Sequence, residues 1–508
     1  MKKYITDVTE ILSLDVRSLA LFRILLGIYL LLDTINRIKL TPAFYSDSGI
    51  LPRYMVDLGN FENMYHFKLM MISGEGWFAY LFFGIAIAVS FFLIFGFKTR
   101  FITFMAWLMY VSFVIRDPLT KHAGDNLYIL MLFWGMFLPL GRSFSVDALR
   151  NNHTSQKNKY ILSAAGIGLY VQFCLVYIMT GLYKAQYSSW FNGTHLYNTY
   201  SRFDYVEPLA FWIYPQYELL SFLTHFTLWL ELLGSLLFFI PVFFVYFRML
   251  GIFLFAGLQL VIGLTMDVGL FPLVSIAGIL VFIPACVWGE LSARLKKVGL
   301  WQRYFRAAKH SLKKAVPSNR DKALTINRMP LFGEVLISLL IGYVVVWNIS
   351  DFSFRFSLSD TMKKPGYALK LDQRWTMFAA PALNAHYFSA ELTYDDGSTK
   401  NIMAHLTKKH TPPAPFHHVG YVNYRWRIFF SNRLSRLQYA EYRPYVLNYL
   451  LRTDERKADT TEIIKSPNTL QLVAHQHEIG ERYLHSEIEP VILYILYFDE
   501  SMPNYTIE

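Results

Sequence analysis

Residues 174–193 read CLVYIMTGLYKAQYSSWFNG, a strongly apolar run that ends in a lysine, Lys184. If the run beginning near Tyr160 is a membrane helix, Lys184 lies near its far end, on the 3.6-residue face shared with Phe173, Tyr177, Thr180 and Gly181. Small, polar and aromatic side chains on one face mark a surface turned towards other helices, so the amine is expected to point into protein. An ammonium at the bilayer centre costs about 2.5–3.5 kcal/mol. Exclusion of water favours the neutral amine, and a neutral amine is a base. A second reading stays open: lysines at helix ends also snorkel to headgroups and serve only as anchors.

The whole chain supports the membrane reading. Of its 508 residues 54% are hydrophobic and 17% aromatic, with only 17% charged, which is too apolar for a soluble protein of this length. Cys174 and Cys286 both sit in apolar runs, which argues against a disulfide framework or a CxxC metal or redox motif. The net charge of +11 is concentrated: residues 289–330 carry 11 Lys and Arg against Glu290 and Asp321. That excess reports membrane orientation, and no nucleic-acid partner is expected. MKKYITDVTEILSLDVRSL at the N-terminus lacks a small-residue cleavage site and runs on into a full apolar span, so no cleavable signal is expected.

Apolar runs long enough to cross about 30 Å of hydrocarbon fall near residues 17–36, 76–97, 101–117, 124–141, 160–184, 218–245, 246–266, 269–288 and 331–349. The expected fold class is therefore a polytopic α-helical membrane protein of about nine spans. It divides into a bundle over 1–288, a basic segment over 289–330, a last span over 331–350 and a soluble domain over 351–508. The positive-inside rule puts 289–330 and the N-terminus in the cytoplasm, with the basic loops at 97–100, 141–159 and 246–248. Residues 40–75, 116–126, 184–217, the turn at Asp267 and everything after Ser350 then fall outside, in an inner-membrane protein with an extracytoplasmic C-terminal domain. The amphipathic piece WQRYFRAAKHSLKKA, 301–315, is expected on the inner leaflet against anionic membrane lipid.

After Asp351 the pattern alternates. YALKLDQRWTMFAAP, YFSAELTYDDGSTKNIMAHL and EIEPVILYILYFDE read as antiparallel strands about turns such as Asp395-Asp396-Gly397, and residues 434–452 have helical spacing around Pro444. The result is a β-rich α+β domain with Trp375, Tyr424 and Trp426 as candidate core. His417-His418 and His475-Gln476-His477 lack acidic or cysteine partners at ligand spacing, so no metal site is expected.

Several stretches together resemble the HTTM domain, the fold shared with vitamin K-dependent gamma-carboxylase. They are DVRSLALFRILLGIYLLLD (15–33), FYSDSGILPR (44–53), GDNLYILMLFWGMFLPLGRSFSVD (124–147), the Gly181, Lys184, Trp190, Gly193 pattern and DVGLFPL (267–273). DQRWTMFAAP (372–381) and NYRWRIFFSN (423–432) are similar to the outer domain of bacterial members. The resemblance implies that Lys184 deprotonates a reduced quinone, either menaquinol or vitamin K hydroquinone. Oxygen then converts the quinone to its epoxide, and the strong base so formed removes a γ-proton from a glutamate, which captures carbon dioxide. It implies an exported protein or peptide as the substrate, and a lyase. The chain departs from the carboxylase pattern at three places. Asn126 stands near an expected histidine, with His122 one turn earlier; Gln259 replaces another; and the interval from Lys184 to Trp190 is one residue longer.

The catalytic candidates are Lys184, Asn126 and His122, and the cofactor-binding candidates are Arg23, Trp190, Tyr177 and Gln259. Arg23 reads equally as half of a buried pair with Glu231, and Glu231 with His225 as a helix contact or a proton relay. Arg116, Asp117, Asp125 and Asn126 form a second group near the same membrane face. Two functions compete: a quinol-dependent epoxidase or carboxylase-like enzyme, and a non-catalytic HTTM protein that binds or helps mature an exported partner. A transporter is disfavoured because no repeated broken helices or paired charged spans are evident.

Overall fold

The computed structural model describes residues 6–58, 67–150, 160–202, 204–297, 330–381, 384–409, 419–455, 466–479 and 489–498. Seven described helices are long and apolar enough to cross a membrane. They are α1 (Val16–Ile38), α2 (Gly76–Phe95), α3 (Thr99–Arg116), α5 (Ala164–Lys184), α7 (Tyr217–Leu233, continued by a 3₁₀ turn to Phe238), α8 (Phe244–Thr265) and α11 (Leu331–Phe352). Between them lie α4 (Ala123–Met136), the short α6 (His195–Tyr200), α9 (Phe271–Leu280) and α10 (Ala285–Lys297).

Two of the nine runs read from sequence differ from a simple span. The run near 124–141 is helical over only 14 residues, about 21 Å at 1.5 Å per residue. Tyr128, Leu130 and Trp134 of α4 are fully buried, so its hydrophobicity serves the bundle core rather than lipid. The run near 269–288 is broken into α9 and α10, bent by 91°. Pro284 explains the break, since it lacks an N–H and disfavours helix at the residue before it. The amphipathic stretch 301–315 and His417-His418 lie outside the described residues.

Local chemistry fixes the helix starts. Asp15 caps α1 through Arg17 N (2.7 Å), and Ser163 caps α5 through Gly166 N (3.2 Å). His122 and Asp125 form a capping box on α4. Glycine sets the close approaches: a Cβ on Gly27 would lie 2.9 Å from the backbone nitrogen of Ile94, so α1 and α2 pack backbone to backbone.

The loops gather at two ends. At one, Arg248 Nη1 donates to Ile11 O (3.3 Å), Lys98 N to Asp147 Oδ1 (2.9 Å) and Trp288 Nε1 to Ser18 Oγ (2.8 Å). At the other, residues 40–58, 116–122, 185–202, 204–217 and 266–270 meet the C-terminal domain. There Arg427 Nη2 donates to Asp267 O (2.6 Å), Ser431 Oγ to Asp204 (2.8 Å), and Arg452 Nη2 to Ser48 O (2.7 Å). This sorting matches the two sets of loops that the charge pattern separates.

The C-terminal domain is built on a four-stranded antiparallel sheet of β1 (Asn384–Tyr394), β2 (Thr399–Asn401), β3 (Pro467–Glu478) and β4 (Glu489–Tyr497), in the order β2-β1-β3-β4. β1 and β2 are joined through Asp395-Asp396-Gly397, with Gly397 at φ 78° as such a turn requires. Helix α13 (Arg443–Glu455) carries Pro444 in its first turn, where no helical N–H is lost. The strand expected over 367–381 does not form. Helix α12 (Asp360–Leu369) ends at Lys370, φ 55°, and the following residues are spent on the bundle. Gln172 Nε2 donates to Gln373 Oε1 (2.7 Å), Trp347 Nε1 to Gln373 O (3.1 Å) and Trp190 Nε1 to Ala379 O (3.1 Å). Trp375 and Trp426 are core residues as expected, whereas Tyr424 lies in the seam, its hydroxyl 3.1 Å from Asp33 Oδ1.

Candidate functional site

Lys184 is buried, and its amine does not reach the headgroups. Its Nζ donates to both Glu231 oxygens at 2.6 Å and lies 4.6 Å from the centre of the Trp190 ring. The two glycines around it explain the geometry. Gly181, one turn before Lys184, lets α5 approach α7 so closely that a Cβ there would stand 3.1 Å from the Leu232 backbone nitrogen. Gly193, at φ 74°, turns the chain after Trp190 where a side chain would strike Ser221 and His225 on α7. The Gly-x-x-Lys and Trp-x-x-Gly spacing is thus a docking device that sets the amine and indole against Glu231.

Beside this pair lies an apolar cavity of about 200 Å³. Lys184, Trp190, Tyr200 and Thr227 line its inner part, and Phe253 and Val261 are among the residues at its mouth. Phe226 (37%), Phe253 (74%) and Val261 (43%) are exposed, so the cavity opens between α7 and α8 on a face suited to lipid. A second, more polar cavity of about 320 Å³ lies between the bundle and the C-terminal domain, lined in part by Lys121, His122, His195, Arg202, Arg427 and Asn432. His195 stacks on Trp190 at 4.1 Å with its Nδ1 3.1 Å from Ser189 Oγ. Burial and the neighbouring Lys184 pull His195 down to about 3, so the ring is neutral.

The other candidates scatter. His122 lines the polar cavity, not the Lys184 chamber. Its Nδ1 accepts from Gly124 N (3.0 Å), which places its proton on Nε2, and burial pulls it down to about 4. Asn126, half-buried in the first turn of α4, is among the lining residues of neither cavity. Gln259 donates to Tyr177 Oη (3.0 Å) inside the bundle, behind the cavity wall rather than in it. Arg23 does not pair with Glu231. It is buried at the opposite end of the bundle, where it donates to Phe144 O (2.6 Å), Ile94 O (3.2 Å) and Leu140 O (3.3 Å). Carbonyls of the last turn of α2 and of the loop after α4 accept from its two Nη groups, leaving Glu231 to Lys184. His225 is a helix contact, with its two nitrogens 2.9 Å from Ser221 O and Phe191 O.

Of a second buried charge cluster, the sequence reading singled out only Asp125. Arg37 donates to Asp33 Oδ2 (2.6 Å) and Asp125 Oδ1 (2.9 Å), and Arg425 of the C-terminal domain donates to Asp33 Oδ1 (2.6 Å) and Asp125 Oδ1 (2.9 Å). All four side chains are fully buried, and Tyr110 Oη adds a bond to Asp125 (2.6 Å). Burial alone would lower Arg425, but Asp125 and Asp33 outweigh it and hold the guanidinium above its ordinary range. The i,i+4 spacing of Asp33 and Arg37 was a visible signal; the partnership with a residue nearly 400 positions away was not.

The sequence model of the HTTM domain matches residues 12–288, more than half of the chain. Among curated proteins and solved structures nothing matches.

Proposed function

This chain belongs to the HTTM domain family, and we propose that it is a quinol-dependent epoxidase or carboxylase-like enzyme whose base is Lys184 and whose site faces the cell exterior. The observation that carries the proposal is the position of the Lys184 amine on the wall of an apolar cavity that opens between two apolar helices. A reduced quinone from the bilayer fits that wall, being aromatic and lipid-soluble; when bound it supplies the reducing equivalents that oxygen consumes. The protein's part is positional. Trp190, Tyr200 and Phe226 offer ring faces and apolar edges, and the cavity keeps water away from the amine. Glu231, 2.6 Å from Nζ, can take the proton that the pair shares and leave the amine neutral for the next proton it accepts. The polar cavity next to it suits a water-borne reactant, an exported protein or peptide being the partner class proposed.

The decisive experiment uses purified full-length protein with reduced menaquinone and oxygen, comparing wild type with Lys184→Ala. Epoxide formed only by the wild type is the expected result; equal amounts from both would remove Lys184 from the chemistry. One observation favours the non-catalytic alternative: an amine gripped by both oxygens of a carboxylate is also a complete helix-to-helix contact. On that reading neither protein forms epoxide.

A further inference from the structure

One residue of the C-terminal domain, Phe378, lines both cavities. It sits in a turn closed by Ala379 N donating to Thr376 O (3.2 Å), with φ 54°. That left-handed conformation costs a non-glycine residue roughly 1–2 kcal/mol, and turns of this kind usually place glycine or asparagine there. At this position the strained turn carries a large ring at the boundary of the two cavities. The turn is pinned on the site itself, because Ala379 O accepts from Trp190 Nε1 (3.1 Å) and the same indole lies against Lys184 Nζ. Tyr205 meets the Phe378 ring edge-on at 5.9 Å. The polar cavity reaches the surface at exposed Ala380 and half-exposed Asn432, whereas the apolar one opens at Phe253 and Val261.

We propose that Phe378 is the partition residue of the site: it seals the Lys184 chamber from water entering the polar cavity, and so selects what passes between the two. The C-terminal domain is then part of the site, contributing a specificity-determining side chain. A small polar solute meets the ring and stops. A reactant that displaces it joins volumes of about 320 and about 200 Å³. The inference rests on the two cavities and the strained turn, so it stands or falls independently of the quinol reading.

The test needs no activity. In full-length protein in lipid nanodiscs, with Cys174→Ala and Cys286→Ala, a near-isosteric Thr227→Cys places a thiol in the apolar cavity. A charged methanethiosulfonate reports access from water, and N-ethylmaleimide reports access through lipid. With Phe378 intact the charged reagent reacts slowly. With Phe378→Ala it reacts about tenfold faster or more, while Phe378→Leu stays slow and the maleimide rate is unchanged in all. Phe378→Gly, which removes the ring and relaxes the backbone, should label fast without a lower melting temperature than Phe378→Ala, separating an opened partition from general loosening. Equal charged-reagent rates with and without the ring would overturn the proposal. So would fast labelling of Phe378→Ala accompanied by slow labelling of Phe378→Gly.

Discussion

Two buried charge clusters lie where the bundle meets the C-terminal domain, and they are built differently. The Asp33, Arg37, Asp125 and Arg425 cluster pairs two cations with two anions, adds Tyr110 and Tyr424, and is fully enclosed. The Lys184–Glu231 pair is a single cation and a single anion with empty apolar volume beside it. Saturated charges in a closed seam hold parts together, because every group removed leaves another uncompensated. One pair at the edge of a cavity keeps the freedom to change its proton, which a fastening does not need.

The contrast is broken most severely at Arg425. Arg425→Ala leaves Asp33 and Asp125 to share Arg37 in a dry seam, and removing one partner of such a pair costs about 3–5 kcal/mol. We expect a lowered melting temperature in detergent and early proteolysis within 351–508, with the bundle outlasting the domain. Unchanged melting and proteolysis would show that the seam is not held by charge.

His122 makes the seam sensitive to pH. It caps α4 beside Asp125, and its folded value near 4 lies below the ordinary 6.5. The unfolded chain therefore binds this proton first. The stabilisation is complete above about pH 6.5 and is lost as pH falls towards 4, by at most about 3 kcal/mol. The difference in melting temperature between wild type and His122→Gln should shrink across that window. A constant difference from pH 7 to pH 4 would contradict the assignment.

Lys184→Ala should cost less than Arg425→Ala, about 2 kcal/mol, since Glu231 beside a cavity can take up a proton and become neutral. Lys184→Met combined with Glu231→Leu should recover most of that loss while leaving no activity. Gly181→Ala should give the smallest change, about 1 kcal/mol, by prising α5 from α7. Its measurable signature is activity falling further than stability.

The bundle was legible because lipid demands long apolar runs, and Lys184 stood out because a charge in such a run demands a reason. The glycines at 181 and 193 were legible as a pattern, but their work against Leu232, Ser221 and His225 appears only in three dimensions. Glu231, the partner of Lys184, stayed open as one of two readings for Arg23 because charge can be counted along a chain while carbonyl acceptors cannot: the Arg23 Nη groups donate to Phe144 O, Ile94 O and Leu140 O, which any sequence would offer. Residues 367–381 alternate like a strand, yet Gln373 and Ala379 bond to bundle residues and Trp375 bonds to Gln373, instead of joining a sheet. Hydropathy also could not separate a helix buried in protein, such as α4, from one buried in lipid.

The proposed chemistry requires a reduced quinone in the chamber beside Lys184. A photoactivatable menaquinone analogue, reduced and cross-linked to the full-length protein in nanodiscs, reports this by mass mapping. Labels on Phe226, Phe253 and Leu258 that excess unlabelled menaquinol removes are the expected result. Labels confined to other helices, or insensitive to the competitor, would contradict it.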